Sequence, residues 1–208
     1  MAELKIGTSS WKYDSWRGKV YSDDPAINYL HEYSRKFNTV EIDQWFWSLF
    51  DRVALPDKKV VEEYKNSIPE KFKCTIKVPN SLTLTHYSRK NKAEPLKTNP
   101  HFLSVDLYEE FLEQIKTITP QTASLIFQFE YLNKEKMSSH KIFQNHLHEF
   151  ISNLPAGLPH ISIEIRNPNY FCDDYFRMLN RLNLSHVFLE GYFMPSIVGL
   201  YKLSLSTD

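Results

Sequence analysis

Short apolar segments alternate with longer segments of helical periodicity along the whole chain. Six segments have the length and the Val, Ile and Phe content that are typical of strands, at residues 4–10, 39–43, 72–78, 124–129, 160–165 and 186–190. Apolar residues recur at helical spacing between most of them. Because helices follow strands in turn, the pattern predicts right-handed crossovers and a parallel sheet.

Five helices are predicted between the strands, and local signals indicate where they begin or end. Asp24 followed by Pro25 predicts an N-cap with a first-turn proline, and Asp173 predicts the cap of the fifth helix. Proline or glycine follows three of the other helical stripes. No linker, repeat or low-complexity tract divides the 208 residues, so we expect a single domain over residues 1–208.

Polar and apolar side chains alternate within the predicted strands. Three isoleucines of residues 161–165 share one face, and Ser162, Glu164 and Arg166 share the other. The same alternation puts further polar residues on one face of other strands, among them Glu41, Asp43, Lys77 and Gln128. Parallel strands covered on both sides are apolar throughout, whereas barrel strands have an outer face against helices and an inner face. The pattern predicts a parallel (β/α)-barrel; an antiparallel sheet with one solvated face is the alternative.

Composition and charge narrow the class of protein. Lys plus Arg equals Asp plus Glu, 25 against 25, so no net charge attracts nucleic acid or an anionic membrane, although a small basic footprint at residues 88–92 stays open. Cys74 and Cys172 are far apart, which argues against a disulfide scaffold or a cysteine zinc module. The N-terminus does not resemble a signal peptide, and no apolar run reaches the ~20 residues of a membrane span. We expect a cytoplasmic protein without a membrane partner.

Several motifs in order resemble one family. Residues 7–21 (GTSSWKYDSWRGKVY) resemble the opening signature of the YecE-like family, domain of unknown function 72, and residues 37–42 (FNTVEI) its next motif. Lys77 with Thr85 and His86, Gln128, and residues 164–168 (EIRNP) resemble later motifs, as do residues 191–195 (GYFMP).

The resemblance implies a (β/α)8 TIM-type barrel and no established activity. Family members continue to a seventh strand with Arg and His and an eighth with paired Asn, whereas this sequence stops at Asp208 before either. We therefore expect an incomplete, C-terminally truncated barrel with about six βα units, in which the last two strands are missing.

Two carboxylates are the candidates for catalysis. Glu164 and Glu41 lie near the C-terminal ends of their strands, where barrel active sites open. Carboxylates in different environments can divide the roles of general acid and base. The alternative is that each forms a structural ion pair, Glu164 with Arg166 or Lys77 for example.

Six residues are candidates for substrate binding: Ser9, Trp11, Lys77, His86, Gln128 and Arg166. Lys77 and Arg166 suit an anionic or polyhydroxy group, and an exposed Trp11 suits a sugar ring or a base. Counter-ion roles for the two cations and core packing for the aromatics are the competing interpretations. The histidines do not predict a metal site, and no motif identifies a cofactor.

Three functions follow from these patterns. The first is a barrel enzyme that uses acid–base carboxylates on a small polar or anionic, carbohydrate- or nucleotide-like substrate. The second is a module that binds single-stranded nucleic acid or another ligand through aromatics and Arg89 and Lys90. The third is an inactive truncated remnant with exposed edge strands. Whether the chain is an enzyme, and its oligomeric state, stay open.

Overall fold

Five parallel strands form one sheet in a computed structural model that describes residues 3–48, 53–89, 91, 93–191 and 193–207. The strands are β1 (Thr39–Ile42), β2 (Lys73–Lys77), β3 (Thr122–Phe129), β4 (Ile161–Ile165) and β5 (Ser185–His186). They pair in sequence order, β1-β2-β3-β4-β5, and every pair is parallel. The prediction of a parallel α/β fold is confirmed, and the antiparallel alternative is wrong.

Helices alternate with the strands along the chain. The described residues contain α1 (Tyr29–Ser34), α2 (Lys58–Ser67), α3 (Val105–Gln114), α4 (His140–Ser152), α5 (Asp173–Arg181) and α6 (Ile197–Leu205). The sequence pattern did not predict α6. None of the described helices is long and apolar enough to cross a membrane.

The alternation within the strands decides which side of the sheet the core occupies. Val40 and Ile42 of β1 are buried while Thr39 and Glu41 are half-buried, and β2 repeats this pattern. The apolar side chains pack under the helices, where Phe127 contacts Tyr108 of α3 and Phe150 of α4. One face of the sheet therefore holds the aromatic core, and the other carries the polar side chains.

Two helix starts differ from the prediction. Asp24 does not cap α1: its carboxylate accepts a hydrogen bond from the Ala26 N–H in a local turn, and Asn28 is the N-cap, accepting from His31 N at 3.0 Å. At α5, Cys172 is the N-cap and Asp173 is the first helical residue. In both places an acidic residue begins the turn but does not cap the helix.

The first predicted strand, residues 4–10, is wrong as a strand. Only Ser9 forms a bridge to β1, with hydrogen bonds from Ser10 N to Glu41 O at 2.9 Å and from Glu41 N to Thr8 O at 3.0 Å. Leu4 and Ile6 are 78% and 64% exposed, so none of the described helices covers the apolar face that the pattern implied. Ser10 has a left-handed backbone, with φ of 63°, which ends the extended run.

The last predicted strand, residues 186–190, is also shorter than expected. β5 pairs with β4 at Ser185 and His186, and Val187 N adds one hydrogen bond to Ile163 O at 2.9 Å. Because residues 4–10 do not form a strand, the described sheet has five strands rather than six. It contains no pairing between β5 and β1.

Gly7 allows the N-terminal segment to approach β1, which yields a first prediction. A Cβ at Gly7 would overlap the carbonyl oxygen of Thr39, whereas one at Gly191 would meet nothing within 4 Å. We expect Gly7→Ala to lower the free energy of unfolding by about 1–3 kcal/mol. Urea denaturation measures this, with Gly191→Ala as the control. Equal stabilities of the two variants would contradict the close approach.

His186 of β5 yields a second prediction, because it lies among four aromatic rings: Phe171, Tyr175, Phe176 and Phe188. Burial lowers the pKa of His186 from 6.5 to about 4, against a smaller opposing effect of a hydrogen bond with the Ile163 backbone. Between pH 6.5 and 4 the unfolded chain thus binds a proton that the folded chain does not. The free energy of unfolding is therefore highest above pH 6.5. It falls by roughly 3 kcal/mol as the pH decreases from 6.5 to 4.

The measurement is the free energy of unfolding at several pH values across that window. His186→Phe fits the aromatic surroundings and removes the titrating group, so its profile loses this pH dependence. His148→Gln, on the exposed side of α4, is the control and keeps it. An unchanged slope in His186→Phe would show that the imidazole is not held neutral by its burial.

Candidate functional site

A first group of polar side chains lies where the N-terminal segment, β1 and β2 meet. Lys77 Nζ forms a salt bridge of 2.9 Å with Glu41 Oε1. Ser9 Oγ donates to the same Glu41 oxygen at 3.0 Å and lies 3.3 Å from Asp43 Oδ2. The one cation and two carboxylates leave this group, here called the Lys77 cluster (Ser9, Glu41, Asp43 and Lys77), with a net negative charge.

Neighbouring residues hold the Lys77 cluster in place. Tyr13 OH donates to the Ser9 carbonyl at 3.0 Å, and Lys77 Nζ lies 5.9 Å from the centre of the Phe46 ring. The left-handed backbone of Ser10 turns the chain directly after Ser9. Sparsely populated backbone conformations of this kind concentrate at functional sites.

A second group lies at the end of β4. Glu164 is 4% exposed, and its Oε1 accepts two hydrogen bonds from Arg166, from Nε at 3.2 Å and from Nη2 at 3.1 Å. Of the two structural partners considered for Glu164, the structure therefore selects Arg166, while Lys77 pairs with Glu41. Within the described residues, Glu164 Oε2 accepts no hydrogen bond.

Gln128 is the immediate neighbour of Glu164 in the sheet. The two residues are paired in register across β3 and β4, so their side chains project from the same face. Gln128 Oε1 is buried and finds no donor in the described part of the chain. Buried acceptors are normally satisfied, and an unsatisfied one is a reason to look for a ligand or water at that place.

The strand register puts both groups on one face of the sheet. Lys77 is paired with Ile126, which lies two residues before Gln128 on β3, and Gln128 is paired with Glu164. Because side chains two apart on a strand share a face, Glu41, Lys77, Gln128 and Glu164 all project to the side opposite the helices. Two strands separate β1 from β4, so the groups form two halves of a polar surface.

A cavity of about 720 Å³ begins beside Arg166. Its described lining comes from the segments that follow β3, β4 and β5, and it consists of Tyr131, Arg166, Pro168, Asn169, Leu189, Gly191, Phe193 and Met194. Tyr131 and Phe193 are 60% and 89% exposed. The cavity thus lies at the C-terminal ends of the strands, where ligands bind in parallel α/β folds.

His86 lies on the loop after β2, which a buried hydrogen-bond network supports. Asn99 Nδ2 donates to Ser81 O at 2.7 Å and to Leu84 O at 2.6 Å, and Asn99 N donates to Thr85 O at 2.9 Å. His86 Nδ1 is 2.9 Å from Thr85 Oγ1. The loop orients the imidazole, but no contact between His86 and the Lys77 cluster occurs in the described residues.

Trp11 is a buried residue on the helical side of the sheet. It is 4% exposed, packs edge-on against Tyr64 of α2, and lines a groove of about 690 Å³ on the helical side of the sheet. Its predicted role in substrate binding stays a prediction that this packing does not support.

The basic segment at residues 88–92 is partly neutralised. Arg89 binds Glu135 through Nη1 at 3.0 Å and Nη2 at 3.2 Å. Lys90 and Lys92 lie outside the described residues. In that described part, no group of three or more His, Cys, Asp or Glu side chains could hold a metal ion.

Two parts of this region have no role that the sequence pattern indicates. The alternation predicts Asp43 on the polar face without indicating a role for it, and only the contacts of Ser9 with both carboxylates show that Asp43 lies beside Glu41. Phe193 and Met194 belong to the family motif at residues 191–195. They line a cavity only because the segments after β3, β4 and β5 come together in the fold.

The fold and the polar strand ends define an α/β protein with a parallel sheet and a candidate site at its C-terminal edge. The chain belongs to the family described as protein of unknown function DUF72, whose model matches residues 5–198. The resemblance inferred from the motifs is thereby confirmed at the level of this family.

Solved structures of the family show the same fold. A DUF72 family protein from Thermotoga maritima superposes with a TM-score of 0.60 and 18% identity, over 92% of this chain and 66% of its own. One from Enterococcus faecalis gives a TM-score of 0.58 and 20% identity, over 90% of this chain and 62% of its own. The chain therefore spans about two thirds or slightly less of the length of these proteins. No curated protein matches it.

The Lys77 cluster yields a third prediction. Because Lys77 and Glu41 are only 15% and 23% exposed at their side chains, water screens their pair weakly. We expect a double-mutant cycle with Lys77→Met and Glu41→Gln to give a coupling of about 1–2 kcal/mol in the free energy of unfolding. The pair Lys58–Glu113, more than half exposed, is the control and should couple by less than about 0.5 kcal/mol. Similar couplings would mean that the Lys77 cluster is no more protected from water than the surface.

Proposed function

We propose that this protein binds a small polar or anionic molecule at the C-terminal ends of its parallel strands and acts on it through acid–base chemistry. The observation that carries the proposal is the Glu164–Arg166 pair beside Gln128, at the rim of the 720 Å³ cavity. Arg166 lines the cavity and binds one oxygen of the buried Glu164 carboxylate, and Gln128, whose amide oxygen is unsatisfied, is paired with Glu164 across β3 and β4. Such convergence of polar groups at an apolar cavity is typical of ligand sites.

Glu164 is the proposed catalytic carboxylate. Its Oε1 is held by Arg166, and this orients Oε2 as the oxygen that exchanges a proton with the ligand. Gln128 accepts a hydrogen bond from the ligand, and Arg166 offers its remaining N–H groups to an acceptor.

The Lys77 cluster is the second half of the proposed site. Lys77 would hold an anionic or polyhydroxy group, and Glu41 would act as the partner acid or base to Glu164. Ser9 and Asp43 set the position of Glu41 through the hydrogen bonds described above. His86, oriented by Thr85, would add a polar group to this half of the proposed site from the loop after β2.

We also propose an architecture and a cellular location for the protein. We place the five strands in a (β/α)8-type barrel of one domain, since parallel strands that pair in sequence order and are each followed by a helix are what such a barrel is built from. A reducing cytoplasm suits Cys74 and Cys172, which are both unpaired.

Glu164→Gln tests the proposed function. Turnover or binding is first found by screening small carboxylates, sugars and sugar phosphates against the unmodified protein with thermal-shift and product assays. We then expect Glu164→Gln to reduce turnover about 100-fold or more, because the amide cannot transfer the proton. Stability should stay equal or rise, since Arg166 is half exposed and can turn to water.

The control is Glu149→Gln, an exposed carboxylate of α4. Full activity of Glu164→Gln would remove Glu164 from the mechanism. Melting without cooperativity of the unmodified protein would instead favour the inactive-remnant hypothesis.

A further inference from the structure

The guanidinium of Arg166 has one edge in use and one edge open. Both hydrogen bonds to Glu164 come from the edge formed by Nε and Nη2, and both end on the single oxygen Oε1. Nη1 meets no acceptor among the described residues, and Arg166 lines the cavity with 47% of its side chain exposed. The Nη1/Nη2 edge is therefore available to a second planar acceptor, and such an edge matches a carboxylate with two parallel hydrogen bonds.

The cavity around this edge is apolar. Tyr131, Leu189, Phe193 and Met194 form most of the wall, and Pro168 adds a further apolar surface. Exposed aromatic and thioether groups of this kind favour contact with a ring or a branched hydrocarbon. A polyhydroxy ligand would instead need several polar partners, and the described wall offers few beyond Arg166 and Asn169.

The charge at the cavity limits the charge of the ligand. Arg166 is the only charged residue of the described wall, and Glu164 already balances part of its charge. A dianion such as a phosphate monoester normally meets more than one cation or a helix N-terminus. The described wall therefore holds no cation for a second negative charge, and a monoanion suits it better than a dianion.

We propose that the cavity binds an organic monocarboxylate, with the carboxylate on the open edge of Arg166 and a ring or branched apolar body against Tyr131, Phe193 and Met194. This deepens the proposed function and rests on it, because the bound carboxylate would lie beside Glu164. Arg166 thus bridges the proposed catalytic carboxylate and the ligand, and it sets the distance between them.

The test is isothermal titration calorimetry of the full chain with four probes: phenylacetate, its neutral isostere phenylacetamide, phenyl phosphate and glucose. We expect phenylacetate to bind with a Kd below about 1 mM and phenylacetamide at least tenfold more weakly. Arg166→Lys keeps the charge and loses the planar edge, so it should weaken phenylacetate binding roughly 10- to 100-fold. Arg181→Lys, an exposed residue of α5, is the matched control and should bind as the unmodified protein does.

A second variant guards against an effect of Arg166→Lys on folding. Phe193 is 89% exposed, so Phe193→Ala leaves the core intact, and it should weaken phenylacetate binding several-fold by removing an apolar contact. Binding of phenylacetate that neither variant changes would place the ligand elsewhere and overturn the inference.

The outcomes separate this inference from the proposed function. If phenyl phosphate or glucose binds more tightly than phenylacetate, and this binding is lost in Arg166→Lys, the ligand is not a monocarboxylate. The proposed site at the C-terminal ends of the strands would still stand. Absence of binding by all four probes up to about 10 mM would also overturn the class. The proposed function is then judged separately by the Glu164→Gln turnover experiment.

Discussion

Charged side chains on the polar face of a parallel sheet must be paired or must reach water, and this constraint organises the whole structure. A carboxylate that loses its water without a partner carries a penalty of several kcal/mol. Glu41 meets this requirement through Lys77 on the next strand, and Glu164 through Arg166, the residue directly after its own strand. Each pair leaves one carboxylate oxygen without a hydrogen bond in the described residues. Such an oxygen can bind a ligand or exchange a proton with it, whereas a carboxylate with both oxygens engaged cannot.

The other layers of the fold support this polar face. The opposite face of the sheet is filled by aromatic residues of β3 and α4, such as Phe129 and Phe143, whose rings meet edge to face. Such packing makes the strands rigid, and rigid strands hold side chains at fixed separations. The loop after β2 gains comparable order from the hydrogen bonds of Asn99, although it has little regular secondary structure.

The segment after β5 connects stability with the candidate site. His186 lies in an aromatic setting against α5, and Leu189, Phe193 and Met194 follow it within a few residues and form a wall of the cavity. The short pairing of β5 with β4 therefore anchors the chain just before it forms the cavity. The family has no known function, so only the residues of the cavity indicate what it binds.

Much of the architecture could be predicted because the relevant signals are local. Alternation within strands such as residues 161–165 predicts which side chains share the polar face, and this predicted the shared face of Glu41, Lys77, Gln128 and Glu164. The same signal gave a wrong prediction for residues 4–10, which have the composition of a strand. Leu4 and Ile6 are exposed, so composition alone did not show that this segment lacks a packing partner. Helix starts were missed at Asp24 and Asp173 because an acidic residue can form a local turn as readily as a cap.

The amino-acid sequence by itself determined the parallel α/β class, the polar face and the family, since each depends on residue types at short, regular spacing. Only the tertiary structure decided that Lys77 pairs with Glu41 and Arg166 with Glu164, that Trp11 packs in the core, and that three loops enclose a cavity. These outcomes depend on distances between residues far apart in the chain. Hydrophobic periodicity specifies the direction of a side chain but not its neighbour across the sheet.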